Sequence, residues 1–500
     1  MSSIRVTYSG LIGFLISMIS VLTGIVFTLI VTRRLTPEEF GVWALVGSLI
    51  GYFLIVEPII SYWTTRQIAR GESIASTSIF YSVIFALVQI PIYLYIVFFL
   101  PSIGADYTYF IILAVILLPV AFVSQTLVGI NQAHKPHATS YGFLVFEILK
   151  IPVGILLVVV FDLGLDGAIL ATFVAYLGKL IIQLYFAKPQ LKNKLKASLI
   201  IQWIKISWIP LYQNISSLIW TLDVLIFTII TNSVIGVAFY SISVTITALI
   251  AHAGMISQGL YPKLLSKGSL DHVEDNFNRL IYFAIPLLVI VILFSKPALF
   301  ALNPLYDHLS IPVILLGFRT FFYVITGFFY QVLLGTERVD EEMNPSFKSL
   351  IKSKLFYLPT VNIIHHTLYI IILAITTFVL TNQNASNFEL VSAWTGISFV
   401  LSIPFLVYSV FLLKKYMTFS LPYITALKYF VGAISMIIVF LFTSDFVIFY
   451  KISIYEFLPG VFIEFILCFS TYLGVTYLID DKTRVLFRAI VMEFMPKKEI

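Results

Sequence analysis

Long apolar runs follow one another along the whole chain, and short polar connections separate them. A helix needs about 20 mainly apolar residues to cross the hydrocarbon, where its backbone must satisfy every hydrogen bond internally. The runs predict about fourteen spans, at 11–31, 42–63, 77–100, 108–130, 139–161, 165–187, 207–231, 234–258, 279–295, 309–334, 356–380, 390–413, 424–443 and 457–479. We therefore predict an all-α polytopic membrane protein.

Composition agrees with this pattern. The chain is 60% hydrophobic and 11% charged, whereas an average globular domain is roughly 25% charged. The first apolar run has one arginine before it, lacks a small-residue cleavage site and is followed by further spans, so we expect it to stay in the membrane.

The basic residues of the connections predict the orientation, because lysine and arginine concentrate on the cytoplasmic side. A cytoplasmic N-terminus assigns 24 of the 31 basic residues to the inner side. The outer side then holds only Arg33, Arg34, Lys296 and Lys451. We expect a multi-pass protein of the cell membrane with both termini in the cytoplasm.

The connections are too short for a soluble catalytic domain, since the longest of them have about 20 residues. This favours a transporter over an enzyme. The net charge of +6 comes mostly from the inner connections, where it suits topology and contact with anionic membrane lipids and implies no nucleic acid. The single cysteine, Cys468, lies in the last span and excludes an intramolecular disulfide.

A short internal match suggests a repeat. An offset of 200 residues aligns 27–30 with 227–230, and after a five-residue gap Gly41-Val42-Trp43 meets Gly236-Val237-Ala238. Chance also produces such matches in apolar chains, but this one pairs two spans of equal direction, as a parallel six-helix repeat requires. We predict lobes at 1–200 (spans 1–6) and 201–415 (spans 7–12), with an extra helix pair and a cytoplasmic tail at 416–500.

The segment from Arg33 to Trp43 has a local structural interpretation. Thr36 suits an N-cap, Pro37 the first helical position and Glu39 the third position of a capping box. The acidic residues of this segment therefore need no catalytic explanation.

The same segment resembles the sequence that joins spans 1 and 2 in the polysaccharide-transport branch of the multidrug/oligosaccharidyl-lipid/polysaccharide (MOP) flippase superfamily. The resemblance extends over roughly residues 1–270. Its further segments are Arg66–Arg70, Gly129–Ala133, Gly164–Ala168, Asp223, Gly236–Tyr240 and Tyr261–Leu264.

The resemblance implies a flippase that moves a polyprenyl-linked oligosaccharide from the inner to the outer leaflet by alternating access of two lobes. Lipid-linked oligosaccharide, membrane lipids and glycan-assembly enzymes are the partners that it implies. It implies no cofactor and leaves coupling to H⁺ or Na⁺ open. The second half of the chain diverges too far to carry over a substrate residue.

Three basic residues fall inside predicted spans: Lys150, Lys179 and Arg319. A central charge costs roughly 2.5 to 3.5 kcal/mol on the insertion scale and usually faces the protein interior or a wet cavity. Lys150 has Glu147 three residues earlier, so a local ion pair and a substrate role are both open. Lys179 and Arg319 have no acid in reach on their own helix, which favours a role in binding an anionic headgroup.

The remaining candidates extend this set. Arg33 and Arg34 join the basic residues as substrate-binding candidates, while Asp223 and Glu464, with Glu147, are coupling or structural charges. Asp223 lies opposite the Thr221 and Thr228 face of its helix, so a pairing with a neighbouring helix is an alternative. No metal-binding motif stands out in the sequence.

Two other functions compete with the flippase. A cation-coupled multidrug exporter of the same superfamily would need several uncompensated carboxylates in its cavity, whereas the strongest charges within spans here are basic. A membrane glycosyltransferase or polymerase would need acidic or large outer loops, and this sequence has neither.

The orientation can be tested by cysteine-accessibility labelling. Positions 190–200 and 490–500 should react from the cytoplasmic side and positions 382–387 from the outside, because of the basic-residue asymmetry. Labelling of 490–500 from the outside would contradict the fourteen-span topology.

Overall fold

The structure of the protein is a computed structural model. Every regular element in the residues that it describes is a helix. These residues are 23–69, 71–99, 105–192, 194–196, 198–257, 264, 271–337, 351–417 and 422–485. The helices of the first part are α1 (23–34), α2 (Pro37–Leu54), α3 (Pro58–Ala69), α4 (Ala75–Phe99), α5 (Ala105–Leu113), α6 (Leu117–His134), α7 (Pro136–Gly154), α8 (Gly164–Ala187), α9 (Ser198–Ile206) and α10 (Trp208–Thr231).

The later helices are α11 (Ile235–Ala251), α12 (Asp271–Leu293), α13 (Ser295–Leu302), α14 (Ser310–Gly335), α15 (Lys354–Asn382), α16 (Asn387–Tyr416), α17 (Tyr423–Val447) and α18 (Ile454–Ile479). Twelve helical stretches of the described chain are long and apolar enough to cross a membrane, and each coincides with a predicted span. The all-α polytopic fold is thus confirmed.

The two remaining predicted spans differ from this simple pattern. The span predicted at 42–63 is bent by 58° between α2 and α3, and its two arms together pass the same test of length and apolarity. The break coincides with Glu57 and Pro58, and proline lacks the N–H that would continue the helical ladder. Of the span predicted at 11–31, only residues 23–31 lie in the described part, where they are helical.

The helices divide into two compact units. The first unit comprises Met1–Ile242 and Tyr357–Ile397, and the second comprises Ser243–Phe356 and Ser398–Ile500. The lobes predicted at 1–200 and 201–415, which derive from the internal repeat, stay a prediction.

The capping box predicted at the start of α2 is confirmed. The Thr36 hydroxyl accepts a hydrogen bond from the Glu39 amide at 3.2 Å, and the Glu39 carboxylate accepts one from the Thr36 amide at 2.8 Å. Two backbone donors that the helix leaves unsatisfied thus find partners. Glu38 and Glu39 lie in the first turn of α2, where their negative charges interact favourably with the helix dipole.

Gly41 brings α2 very close to the chain that follows α10. A Cβ atom at this position would lie well inside van der Waals contact with the backbone carbonyl of Val234. The contact is backbone against backbone within the first unit, so neither side can move away by a rotamer change. Gly41 therefore fixes how α2 approaches α10.

The junction between α7 and α8 depends on its glycines. After Pro152, the last turn of α7 widens into a π-helix at Ile155–Val160. Gly164 then has a φ of +53°, a conformation that favours glycine. A Cβ on Gly167 would lie 2.9 Å from the carbonyl oxygen of Leu157. These glycines allow the sharp reversal that sets α8 against α7.

In the second unit, a polar cluster lies at the end of α18. The Asp480 carboxylate accepts hydrogen bonds from the Thr483 hydroxyl at 3.0 Å and from Lys428 Nζ at 3.2 Å. Burial opposes ionisation of Asp480, but the backbone N–H of Thr483 at 2.9 Å, together with the Thr483 hydroxyl and Lys428, outweighs burial and holds the pKa of the carboxyl below its usual range. Tyr472 donates to the Tyr282 carbonyl at 2.7 Å, which joins α18 to α12.

The close approach at Gly41 predicts opposite effects for two glycines of α2. Gly41→Ala should lower the free energy of unfolding in detergent by about 1 to 3 kcal/mol, because the added methyl overpacks a rigid contact. Gly51→Ala is the matched control, since no atom of the described residues lies within 4 Å of its Cβ position. It should leave stability unchanged or raise it by up to about 1 kcal/mol through helix propensity. Equal effects of both substitutions on the melting temperature would contradict this account.

Candidate functional site

One acidic and two basic side chains of the first unit lie together between α7 and α8. Glu147 and Lys150 are three residues apart on α7, and Lys179 comes from α8. Glu147 interacts electrostatically with both lysines. The predicted local pair therefore has a third member, which sequence periodicity on one helix could not reveal.

Glu147 also contacts α1. Its Oε2 accepts a hydrogen bond from the Thr23 hydroxyl at 3.0 Å, and its side chain is 9% exposed. A buried carboxylate needs such donors, because an unpaired charge in a low-dielectric interior is costly. Glu147 thus connects α1, α7 and α8.

Aromatic rings face both ammonium groups. Lys150 Nζ lies 4.6 Å from the Phe27 ring centroid and 5.3 Å from that of Phe146. Lys179 Nζ lies 4.1 Å from the Phe143 centroid, and its residue is 4% exposed. Cation–π contacts of this kind contribute about 0.5 to 2 kcal/mol each and offset part of the burial cost.

The balance of charge in this cluster is positive. Two ammonium groups share one carboxylate, so the three groups carry a net charge of +1 when all are ionised. In a low-dielectric setting, one positive charge without a matching acid in the trio attracts an anion strongly. We call Glu147, Lys150 and Lys179 the cationic cluster.

Asp223 has a different environment, made of hydroxyl donors. The side chain is 2% exposed, and its Oδ2 accepts hydrogen bonds from Tyr240 at 3.0 Å and from Tyr369 at 2.9 Å. Trp394 Nε1 donates in turn to the Tyr369 hydroxyl at 2.7 Å. Asp223 therefore contacts two neighbouring helices, the alternative that its position on α10 left open.

Stacked rings hold these donors in place. The Tyr240 and Trp394 rings are nearly parallel, with centroids 3.8 Å apart, and Phe227 stacks on Trp394 at 4.6 Å. Trp220 stacks on Tyr369 at 5.0 Å. We call Asp223, Tyr240, Tyr369 and Trp394 the aspartate cluster. Of its donors, only Tyr240 lies in a segment that carries the sequence resemblance. Tyr369 and Trp394 come from later spans, which the resemblance does not reach.

The two clusters have related positions in the predicted repeat. The 200-residue offset aligns Thr23 with Asp223. Thr23 contacts the fifth predicted span through Glu147, and Asp223 contacts the eleventh through Tyr369. The carboxylate thus lies on opposite members of two helix pairs that would correspond in the predicted repeat, and the repeat itself stays a prediction.

Glu57 is a further buried carboxylate, at the break between α2 and α3. It is 4% exposed and accepts hydrogen bonds from Ser61 at 2.7 Å and Thr126 at 2.8 Å. Both donors are neutral hydroxyls. The Thr126 hydroxyl also lies 2.9 Å from that of Ser82, which extends the network to α4.

Arg319 and Glu464 belong to the second unit. The Arg319 guanidinium lies 5.2 Å from the ring centroid of Tyr323, one turn later on α14, and also hydrogen-bonds to its hydroxyl. Glu464 of α18 is fully buried and accepts a hydrogen bond from Thr443 of α17 at 2.6 Å. Cys468 Sγ lies 3.7 Å from the same carboxylate oxygen.

The other predicted candidates are the two arginines of α1. Arg33 is half-buried and Arg34 is exposed, both at the end of α1. Among the residues that the structure describes, no three histidine, cysteine, aspartate or glutamate side chains come close enough to hold a metal ion.

The aspartate cluster predicts a stability effect. Tyr369→Phe should lower the free energy of unfolding by about 1 to 3 kcal/mol, because it removes a donor to a buried carboxylate and the acceptor of Trp394. Tyr455→Phe is the control, since Tyr455 is 88% exposed. Thermal unfolding in detergent measures both, and equal melting temperatures for the two variants would contradict the proposed interaction.

Comparison with known proteins identifies the fold. No protein-family model and no curated protein sequence matches the chain. Among solved structures, the inward closed lipid II flippase MurJ aligns with 96% of this chain and 100% of its own, at 14% identity and a TM-score of 0.66. An inward-facing multidrug-resistance MATE transporter of the MOP superfamily aligns with 81% of this chain and 98% of its own, at 12% identity and a TM-score of 0.59.

A third structure, a MATE protein in complex with MaD5, aligns with 82% of this chain and 95% of its own, at 14% identity and a TM-score of 0.51. At such low identities the likeness concerns the fold. This multi-pass membrane protein has the fold of the MOP-superfamily transporters.

Proposed function

We propose that the chain is a flippase that translocates a polyprenyl-(pyro)phosphate-linked oligosaccharide from the inner to the outer leaflet by alternating access. The sequence resemblance to the polysaccharide-transport branch supports this proposal, and so does the fold shared with a lipid II flippase. The observation that carries it is the cationic cluster, in which two lysines share one acid within the membrane-spanning helices.

The chemistry of the substrate suits such a cluster. Phosphate and pyrophosphate groups are the charged part of a lipid-linked oligosaccharide, and ammonium groups bind them as point charges. A buried positive excess is costly in the empty carrier. Binding an anionic headgroup offsets that cost, so the cluster favours the loaded state over the empty one.

Arg319 is a further basic residue that we propose binds the headgroup. Its planar guanidinium can bind two phosphate oxygens at once, and the ring of Tyr323 orients it from one side. Arg33 and Arg34 of α1 complete the proposed set of basic residues. In this proposal the acidic residues Glu147, Asp223 and Glu464 keep structural or coupling roles.

The proposed setting follows from this function. The protein would work in the cell membrane with both termini in the cytoplasm, where enzymes of glycan assembly supply the lipid-linked substrate. The product would enter surface polysaccharide or glycoprotein on the opposite side.

A cation-coupled multidrug exporter is the second candidate. The MATE transporter fold supports it, and so do the carboxylates of Glu57 and Asp223, which accept hydrogen bonds from neutral hydroxyl groups. A carboxylate with hydroxyl partners can exchange a proton or bind a small cation. This candidate would require the cationic cluster to be purely structural.

Transport by the purified protein in vesicles distinguishes these candidates. The wild type should flip a fluorescent polyprenyl-pyrophosphate oligosaccharide, and Lys179→Gln and Arg319→Gln should each lower the rate at least about tenfold, the effect of losing roughly 1.4 kcal/mol of headgroup attraction. Melting temperatures should stay unchanged or rise slightly, because each substitution also removes a burial cost.

Lys451→Gln is the control, because Lys451 is 58% exposed and lies outside the predicted spans. It should flip substrate at the wild-type rate. If the cations were only structural partners, loss of one would instead destabilise the fold by about 3 to 5 kcal/mol. Wild-type flipping by both variants, or accumulation of a cationic drug without glycolipid flipping, would overturn the flippase proposal.

A further inference from the structure

The connection between α8 and α9, together with α9 itself, has an unusual composition. Residues 188–206 include five lysines and no acidic residue. The structure describes this segment at 188–192, 194–196 and 198–206, and we call it the basic connection. It continues directly from a membrane-spanning helix, α8.

One face of α9 is fixed to the first unit. Trp203 is fully buried and Ile200 is 9% exposed, and both belong to the apolar core that contains Ile60 and Phe122. Trp203 Nε1 also donates a hydrogen bond to the Gln67 side chain at 3.2 Å. The helix is therefore held against the unit instead of extending freely.

The residues before α9 are fixed as well. The Ser76 hydroxyl donates to the Leu191 carbonyl at 2.7 Å, and the Lys196 amide donates to the Thr77 hydroxyl at 2.9 Å. These bonds attach the basic connection to the first turn of α4. Because α4 is a spanning helix, they hold the connection at the level where that helix leaves the membrane.

A neighbouring face of the basic connection is apolar and exposed. Leu195 is 55% exposed, Ile201 58% and Ile204 51%. Apolar side chains such as these are unfavourable in water. At the edge of a bilayer the same side chains can enter the acyl region.

Lysines lie beside this apolar face. Lys188, Lys192, Lys194 and Lys196 are all exposed. In the described part of the chain none of them forms a salt bridge with an acidic residue. Exposed apolar residues next to a cluster of lysines are typical of segments that bind the surface of an anionic membrane.

We propose that the basic connection is a binding site for anionic phospholipids, with its lysines on the phosphodiester headgroups and Leu195, Ile201 and Ile204 in the acyl region. The exposed apolar side chains favour a lipid over a nucleic acid or an acidic protein, which would leave them in water. The site is separate from the cationic cluster and concerns membrane lipid, not the transported substrate.

The test uses the full-length protein in vesicles of phosphatidylcholine mixed with an equal amount of phosphatidylglycerol. Gentle detergent extraction followed by lipid mass spectrometry measures which lipid stays bound. The wild type should retain phosphatidylglycerol preferentially. Lys192→Gln with Lys194→Gln should lower that preference about 25-fold, at about fivefold for each lysine near an anionic surface.

A matched pair of lysines controls for general charge effects. Lys414 and Lys415 are adjacent, exposed and also predicted to be cytoplasmic, so Lys414→Gln with Lys415→Gln changes the net charge equally. This control should keep the lipid preference. An equal loss in both double variants would overturn the proposal, as would no loss in either.

Three further measurements separate the alternatives. Both double variants should melt like the wild type in phosphatidylcholine alone, which shows that the fold is intact. Inorganic phosphate should give no stabilisation that depends on Lys192 and Lys194; if it did, the site would bind free anions. Poly-glutamate binding with the same lysine dependence, and without a phosphatidylglycerol preference, would instead assign the surface to an acidic protein partner.

The apolar part of the proposal has its own variant. Ile201→Ser with Ile204→Ser should weaken retention of phosphatidylglycerol at high salt, where the electrostatic attraction is screened. Unchanged retention at high salt would exclude insertion of the two isoleucines.

Discussion

The absence of water from the hydrocarbon governs the way this protein arranges its polar residues. Every polar group within a span needs a partner from the protein, because an unsatisfied one costs several kcal/mol. Hydroxyls such as that of Thr228 donate to the backbone carbonyl four residues earlier. The buried carboxylates of Glu57 and Asp223 gather hydroxyl donors from neighbouring helices. The polar residues that hold the helices together are therefore also the residues that place ionisable groups within the membrane.

The sequence predicts the helices well because membrane crossing imposes a length and a composition on each of them. Twelve predicted spans coincide with helical stretches, and the capping box at Thr36 follows from local spacing alone. The 58° bend at Pro58 was not predicted, because proline within a span does not always bend it. The break also has partners from other helices, such as Thr126, which donates a hydrogen bond to Glu57, and spacing along the chain does not reveal them.

The charged groups also differ between contacts along one helix, which the sequence predicts, and contacts between helices, which it does not. The proximity of Glu147 and Lys150 follows from helical spacing, and the sequence could therefore predict it. Lys179 contacts Glu147 from another helix, and Asp223 finds its donors on α11 and α15. These contacts depend on how the helices are arranged, which composition and periodicity do not specify. A single sequence therefore identifies which charged residues lie within spans, but not which of them contact one another.

The residues that carry the family resemblance are largely residues of helix contact. Gly41 meets the backbone of Val234, and Gly167 meets that of Leu157. A Cβ on Gly236 would collide with the ring of Phe227. Such positions tolerate little change for reasons of packing alone, so the resemblance predicts the fold more reliably than the function.

When its three groups are ionised, the cationic cluster carries a net charge of +1, on which the membrane potential acts. Moving one elementary charge through the full potential changes the free energy by about 2.3 kcal/mol for each 100 mV. If α7 and α8 move along the membrane normal by even a third of its thickness, that amounts to roughly 0.8 kcal/mol, or about a fourfold change in the ratio of two conformations. An anion bound at the cluster would neutralise this charge and remove the sensitivity, so the protein with and without a bound anion would respond differently to the voltage across the membrane.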